Sequence, residues 1–273
     1  MGSSSRKANP CLAKMSYVDN DFLTRPGLRV KLVGRNCDAL LPLLSRFPIC
    51  LLDSSSSEEP ELVISSGGDG SLLGAERDYP GIPKFAIRDN ANNPKCPLHS
   101  EEQQLETLFA GKYPAEHLAK IEAEDACGNR LCALNDIMIA RAVSLGAIRY
   151  RLRMGGAVLR PQVISDSLVA STPFGSTGYF YSITHGSFRQ GLGIAFNNSM
   201  DLECFEVLPE SAVLDVEILR GPASVQADNN PELLHLKDGD HITLRMSPQP
   251  ATIFGLEAFR CRDCYLLRKD GIR

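Results

Sequence analysis

The run Glu61-Leu-Val-Ile-Ser-Ser66, followed at once by Gly67-Gly68-Asp69-Gly70-Ser71 and a helical stretch over 71–77, constrains this chain more than any other feature. An apolar strand that ends in paired glycines and feeds a helix belongs to an α/β architecture. Glycines allow positive φ and close approach of backbone to a ligand. The helix N-terminus that follows offers free N–H groups and a dipole suited to phosphate. A carboxylate there repels phosphate, so Asp69 makes chemical sense if it meets a hydroxyl or a magnesium ion. The competing reading is a plain βα turn with Asp69 as helix cap. No GK[ST] follows and the glycine spacing is not GxGxxG, so neither of those two nucleotide loops is present.

Around this turn the pattern reads strand, helix, strand, helix, strand. Leu28–Val33 alternates as a half-buried strand does. Residues 38–47 carry apolar side chains at helical spacing, with Asp38 placed to cap them. Ile49–Leu52 and Lys84–Ile87 are further strands, and Glu101–Leu108 is helical. Residues 1–26 read as irregular, and their polar start lacks the apolar core of a secretion signal. The character changes near Tyr113-Pro114. Short β-like segments then recur over 118–124, 131–142, 147–153, 156–160, 167–171, 213–219, 223–227 and 241–246, separated by turn residues. The expectation is an α/β domain with a parallel sheet over 27–115, a β-rich, sandwich-like domain over 116–254, and a tail over 255–273 that packs on the first domain.

The net charge of -4 gives no electrostatic reason to expect nucleic acid or an anionic membrane as partner. No apolar run reaches the roughly 18–20 residues of a membrane span. The nine cysteines are scattered and odd in number, which suits a reducing cytoplasm better than a disulfide framework. Cys96 and His99 form a CxxH, and Cys261 and Cys264 a CxxC. These are zinc-ligand types, but two short pairs so far apart fix no geometry, and no metal ligand is assigned from sequence.

Two further segments carry candidate chemistry. Residues 165–182 run from an apolar strand, Leu168–Ala170, into a turn rich in hydroxyls with Pro173, Gly175 and Gly178. Hydroxyls and glycine N–H groups suit a polar ligand with ribose or amide groups, and Tyr179 adds a stacking or hydrogen-bonding surface. The bland reading is a Ser/Thr-rich loop between strands. In Ala133–Ile139 two polar residues, Asn135 and Asp136, interrupt an apolar strand. If buried, they need partners, from a ligand or from an ordinary turn.

These three segments, in this order, resemble the NAD kinase family, whose members carry a GGDG[TS] loop, an Asn-Glu pair and a D…STPTGSTAY-like segment. Here they stand as Gly67–Ser71, Asn135-Asp136, and Asp166 through Ser171–Tyr179. The resemblance implies phosphoryl transfer from ATP, or polyphosphate, to the 2′-hydroxyl of the adenosine ribose of NAD(H). It implies Asp69 as the base that activates the hydroxyl, with Gly67, Gly68, Gly70 and Ser71 making room for phosphates. Asn135 and Asp136 would hold the ribose and neighbouring groups, and Asp166 would contact the nicotinamide riboside end. Thr172, Thr177, Tyr179 and Ser182 would line the dinucleotide site. Magnesium is implied because a triphosphate donor needs its charge neutralised, and family members assemble as homodimers or homotetramers.

The chain also departs from the family pattern. Asp136 stands in place of a glutamate, and Ser71 in place of the commoner threonine. Arg88 sits near an expected asparagine, placed to bind phosphate or to fill space. The stretch 184–198 and the turn Asp228-Asn229-Asn230 also differ. A kinase with another nucleoside, nucleotide or lipid acceptor is therefore an alternative, as is a silent nucleotide-binding protein, although the latter has little use for Asp69.

Overall fold

The computed structural model describes residues 20–53, 55–89, 94–143, 146–200 and 203–270. The chain divides into two compact units, residues 1–117 with 251–273, and residues 118–250.

In the first unit the strands are β1 (Leu28–Gly34), β2 (Ile49–Leu52), β3 (Leu62–Ser66), β4 (Lys84–Ile87), β5 (Ala115–Leu118) and β18 (Ala251–Phe254), in the spatial order β2-β1-β3-β4-β18-β5. The pairings of β1 with β2 and β3, of β3 with β4, and of β4 with β18 are all parallel. Every residue of β3 and β4 is buried, the mark of central strands covered on both faces. Helices α1 (Leu41–Leu44), α2 (Asp69–Asp78) and α3 (Glu101–Phe109) alternate with these strands, and α5 (Leu256–Phe259) and α6 (Arg262–Asp270) follow β18. The core joins Leu28, Val30, Ile64, Phe85, Leu105 and Phe254. A buried ion pair between Lys84 and Glu76 fastens α2 to β4, and Lys84 Nζ also donates to Tyr79 O at 2.6 Å. Both charges are thus partnered, the condition for burying them.

The helix expected over 38–47 is shorter than its apolar spacing suggests. Cys37–Ala39 is a 3-10 turn and α1 spans only Leu41–Leu44, capped by the backbone of Leu40, so Asp38 caps nothing. Asn36 in the left-handed conformation and Pro42 in the first turn reset the chain direction there.

The second unit holds two antiparallel six-stranded sheets. One has the order β10-β9-β14-β17-β6-β7, and its strands are β6 (Ile121–Asp125), β7 (Arg130–Ala133), β9 (Ile148–Met154), β10 (Ala157–Ser165), β14 (Val213–Arg220) and β17 (His241–Met246). The other has the order β13-β12-β11-β8-β15-β16, and comprises β8 (Asp136–Arg141), β11 (Ser167–Ser171), β12 (Leu192–Asn197), β13 (Phe205–Leu208), β15 (Ala223–Ala227) and β16 (Leu234–Leu236). Strands β14 and β15 alternate buried and half-buried residues along their length, as sheet packing on one face requires. Leu152, Leu214 and Leu244 from one sheet and Ile139, Leu168 and Ile194 from the other share a single core. This is the β-rich, sandwich-like architecture read from the sequence.

Two sequence expectations change here. The single strand expected over 131–142 is two, β7 and β8, in different sheets, with Leu134-Asn135 as the crossing. The stretch Gly191–Asn198, marked only as a departure, contains the buried strand β12.

Candidate active site

In the first unit the glycine turn emerges from β3. Gly67 has φ 132°, which L side chains rarely adopt, and a Cβ there would sit 2.3 Å from Ser71 Oγ. Its N–H donates to Ile87 O at 2.9 Å, anchoring the turn to the end of β4. Gly68 is the N-cap of α2, and no side chain caps the helix. Asp69 is therefore the first helical residue, and the plain helix-cap reading of its carboxylate does not hold. Its side chain is 51% exposed, and Arg88 Nη2 lies 3.3 and 3.4 Å from its two carboxylate oxygens. Arg88 follows β4 and is itself held. Its Nε donates to Phe259 O at 2.9 Å and its guanidinium lies 4.0 Å above the Phe259 ring. Next along the chain, burial holds Arg260 below its ordinary pKa, partly offset by the charge of Asp69. The turn thus combines open backbone, a helix N-terminus, a solvent-facing carboxylate and fixed positive charge.

In the second unit the other two segments meet at the β7–β8 crossing. Asp228, in the left-handed conformation at φ 48°, accepts hydrogen bonds from three successive backbone N–H groups, of Leu134 (2.7 Å), Asn135 (2.9 Å) and Asp136 (3.0 Å). The crossing is pinned from the opposite side by Thr172. Its N–H donates to Asn135 O at 2.9 Å, its hydroxyl donates to Leu134 O at 2.7 Å, and the same hydroxyl accepts from the Gly175 N–H at 3.0 Å. Gly175 lies directly on this backbone, since a Cβ there would be 2.4 Å from Asn135 O. Locked from both sides, Asn135 and Asp136 each keep a buried side-chain oxygen, Oδ1, with no hydrogen-bond partner. Burial lifts the Asp136 carboxyl to about 7; a hydrogen bond from Ser171 opposes the rise and the charge of Asp228 adds to it. Buried acceptors without donors are rare, and such a site has a place for hydroxyl or amide donors from a ligand.

The hydroxyl-rich stretch is mostly helical rather than a loop. Gly175–Thr177 is a 3-10 turn and α4 covers Tyr179–Thr184, seated on Val169 and Ala195 through Phe180. Thr177, Tyr179 and Ser182 are exposed along it, although the Ser182 hydroxyl is spent on Tyr179 O at 2.7 Å. Asp166 is not beside Asn135 and Asp136. It precedes β11, whose far end, Ser171, pairs with Asp136, so the strand separates them by about 17 Å at 3.3–3.4 Å per residue. Asp166 belongs to a second polar group with Asn197 and Asn198. Asn198 Nδ2 donates to Asp166 Oδ2 at 2.9 Å, and Asn197 Nδ2 donates to the Tyr179 hydroxyl at 3.4 Å. Thr172, expected in the dinucleotide site, is fully buried with its hydroxyl used by the turn, so it positions the site rather than lining it.

No family model matches the chain. Among curated proteins it is similar to the NAD kinase of Methylibium petroleiphilum, with 27% identity over 246 residues, 83% of this chain and 79% of that protein. The NAD kinase of Alcanivorax borkumensis is 33% identical over 163 residues, 55% of this chain and 54% of that one. The chain is thus similar to NAD kinases over most of its length, at a distance that marks it as divergent from them. Two solved structures share its fold, each with a TM-score of 0.69. Yeast NADH kinase in complex with NADH is 15% identical and the match covers 90% of this chain and 87% of that one. An NAD kinase from Archaeoglobus fulgidus in complex with ATP is 20% identical, with 88% and 99% covered.

At this distance from the NAD kinases it resembles, the sequence motifs mark the loop, the Asn-Asp pair and the tyrosine segment, but not the residues that hold them. Asp228 and Asn197 stand in the sequence only within departures from the family pattern, and Phe259 carries no signal at all. A left-handed aspartate that caps a distant strand crossing has no sequence periodicity; Asp-Asn-Asn is a turn signal and nothing more.

Proposed function

We propose that this chain transfers the terminal phosphoryl group of ATP to the 2′-hydroxyl of the adenosine ribose of NAD(H), giving NADP(H) and ADP. Its similarity to curated NAD kinases over most of its length supports that acceptor over a nucleoside, nucleotide or lipid, and supports an enzyme over a silent binder. The observation that carries the reading is the half-exposed carboxylate of Asp69, set by Gly67-Gly68 on the first turn of α2. In the reaction Asp69 accepts the proton of the 2′-hydroxyl as that oxygen attacks the γ-phosphorus, and the bond from the γ-phosphorus to the bridging oxygen of ADP breaks.

Gly67, Gly68, Gly70 and Ser71 leave room for the phosphates, and the α2 N-terminus and Arg88 supply compensating charge. Magnesium bound with ATP would neutralise the triphosphate, and the oxygens of Asp69 and Ser71 are hard donors of the kind that it prefers. Asn135 and Asp136 offer their unpartnered oxygens to ribose and neighbouring donors of NAD(H). Asp166 takes the nicotinamide riboside end, with Thr177, Tyr179 and Ser182 along the dinucleotide and Thr172 holding the turn beneath it. A cytoplasmic location and a homodimeric or homotetrameric assembly complete the proposal; sedimentation of the purified protein tests the latter. The deciding assay offers Mg-ATP or polyphosphate with NAD, NADH and a panel of nucleosides. NADP or NADPH is the expected product. Phosphorylation of a nucleoside but not of NAD(H) would overturn the acceptor, and NAD binding without any product would leave a silent binder.

A further inference from the structure

The fold brings together two pairs that are 165 residues apart in sequence, counted from Cys96 to Cys261. The donor atoms of Cys96, His99, Cys261 and Cys264 all lie within 4.8 Å of one another. We propose that these four residues form a closed Cys3His zinc site. Cys264 Sγ is 3.5 Å from both Cys96 Sγ and His99 Nδ1, and Cys96 Sγ is 3.3 Å from His99 Nδ1. A tetrahedral ion with Zn–S near 2.3 Å and Zn–N near 2.05 Å sets its ligands about 3.8 Å apart for S···S and about 3.6 Å for S···N. Three of the separations are already within a few tenths of an ångström of those values.

The surroundings suit the ion as well. Cys96 and Cys264 are buried, at 7% and 2% exposure, and the Cys96 N–H donates to Cys264 Sγ at 3.3 Å. Such a donor orients a thiolate ligand and stabilises its charge. Three thiolates and one Zn²⁺ leave a net charge of about -1, and Arg88, Lys95 and Arg268 line the small cavity beside His99 and Cys264. A disulfide accounts for less: the Cys96–Cys264 sulfurs stand at 3.5 Å against a bonded length of about 2.05 Å, and any bridge leaves one cysteine and the histidine over. Zinc uses all four donors and leaves no open position, so its role is structural.

Its place in the fold gives that role content. The CxxH lies on the segment that follows β4 and Arg88, and includes the 3-10 turn Pro97–His99. The CxxC enters α6, directly after the α5 residue Phe259 that holds Arg88. The ion ties these two segments together and so positions Arg88 beside Asp69.

The test is metal analysis of the full chain purified under reducing conditions. About one zinc per chain is expected, and Co²⁺ exchanged for it should give the ligand-field and thiolate charge-transfer bands of a tetrahedral site. Cys96→Ser and Cys264→Ser should each lose the metal. Should either fail to fold, the wild-type chain still decides, because chelation should lower its melting temperature and Zn²⁺, not Mg²⁺, should restore it. Reduced protein with no zinc and no cobalt spectrum would overturn the site, as would a native disulfide among these cysteines or iron in place of zinc. Metal content is read without any kinase assay, so a zinc-loaded but inactive chain would count against the proposed function and not against this site.

Discussion

Two aspartates in this molecule sit beside glycine turns and are put to opposite uses by their surroundings. Asp69 opens a helix, faces solvent and has the Arg88 guanidinium against it. Asp136 opens a strand, is half buried, has the like charge of Asp228 nearby and keeps one oxygen unpartnered. An exposed carboxylate on the first turn of a helix is open to an incoming hydroxyl. A half-buried carboxyl next to another carboxylate keeps its proton to a higher pH than its ordinary value. The difference shows that residue type alone does not assign a role; the surroundings suit the first aspartate to the chemistry proposed for it and the second to holding a ligand.

The comparison breaks most readily at Asp69. Asp69→Asn keeps the size and removes the base, so kcat should fall by about 10²–10⁴-fold while KM for NAD(H) moves little. Steady-state kinetics with folded variant checks this, and an undiminished kcat would end the general-base assignment. Gly175→Ala attacks the other region without touching a ligand-facing atom. Its Cβ would lie 2.4 Å from Asn135 O, so the β7–β8 crossing must shift, at a cost of about 1–3 kcal/mol from overpacking. Denaturant unfolding should record that loss, and KM for NAD(H) should rise because Asn135 and Asp136 move with the backbone. A silent substitution would mean that the crossing is softer than its hydrogen bonds imply.

How much of this was open to a reader of the sequence follows from the same contrast. The Asp69 turn was legible because a strand, two glycines and a helix are contiguous, and local chemistry determines the turn. The parallel sheet around it was legible for the same reason, through its alternation of strands and helices. The Asn135-Asp136 site was visible only as two polar residues in an apolar run. What makes it a site is Asp228, 92 residues further on, accepting from that backbone, and Thr172 and Gly175 closing on it. Non-local hydrogen bonds leave no period to read. The cysteine–histidine cluster was hidden likewise, because only the return of β18 into the first sheet carries Cys261 and Cys264 back to Cys96.

Asp228→Asn sharpens the comparison from inside the second region. The amide keeps the acceptor for Asn135 and Asp136 but turns a donor toward the Leu134 N–H, at a cost of about 1–3 kcal/mol. It also removes the like charge, so the Asp136 carboxyl should titrate lower than in the wild type. Thermal unfolding reads the first effect and carboxyl NMR the second. An unchanged Asp136 titration would assign its raised value to burial alone.

The subtlest signature, spread over several pH units rather than read at one condition, is the titration of Asp136 itself. Its carboxyl titrates at about 7 in the folded chain against an ordinary value of 3.8. Between those values the folded protein keeps a proton that the unfolded chain releases, so stability must fall as pH rises across that window. The contribution is fully present below 3.8 and is lost as pH climbs through about 7. Asp136→Asn should therefore flatten the stability–pH curve in that window. Melting temperatures of the two proteins across the window test it. Parallel curves for wild type and Asp136→Asn would mean that water reaches the carboxyl freely, and the unpartnered oxygen would then be satisfied by solvent rather than held for a ligand.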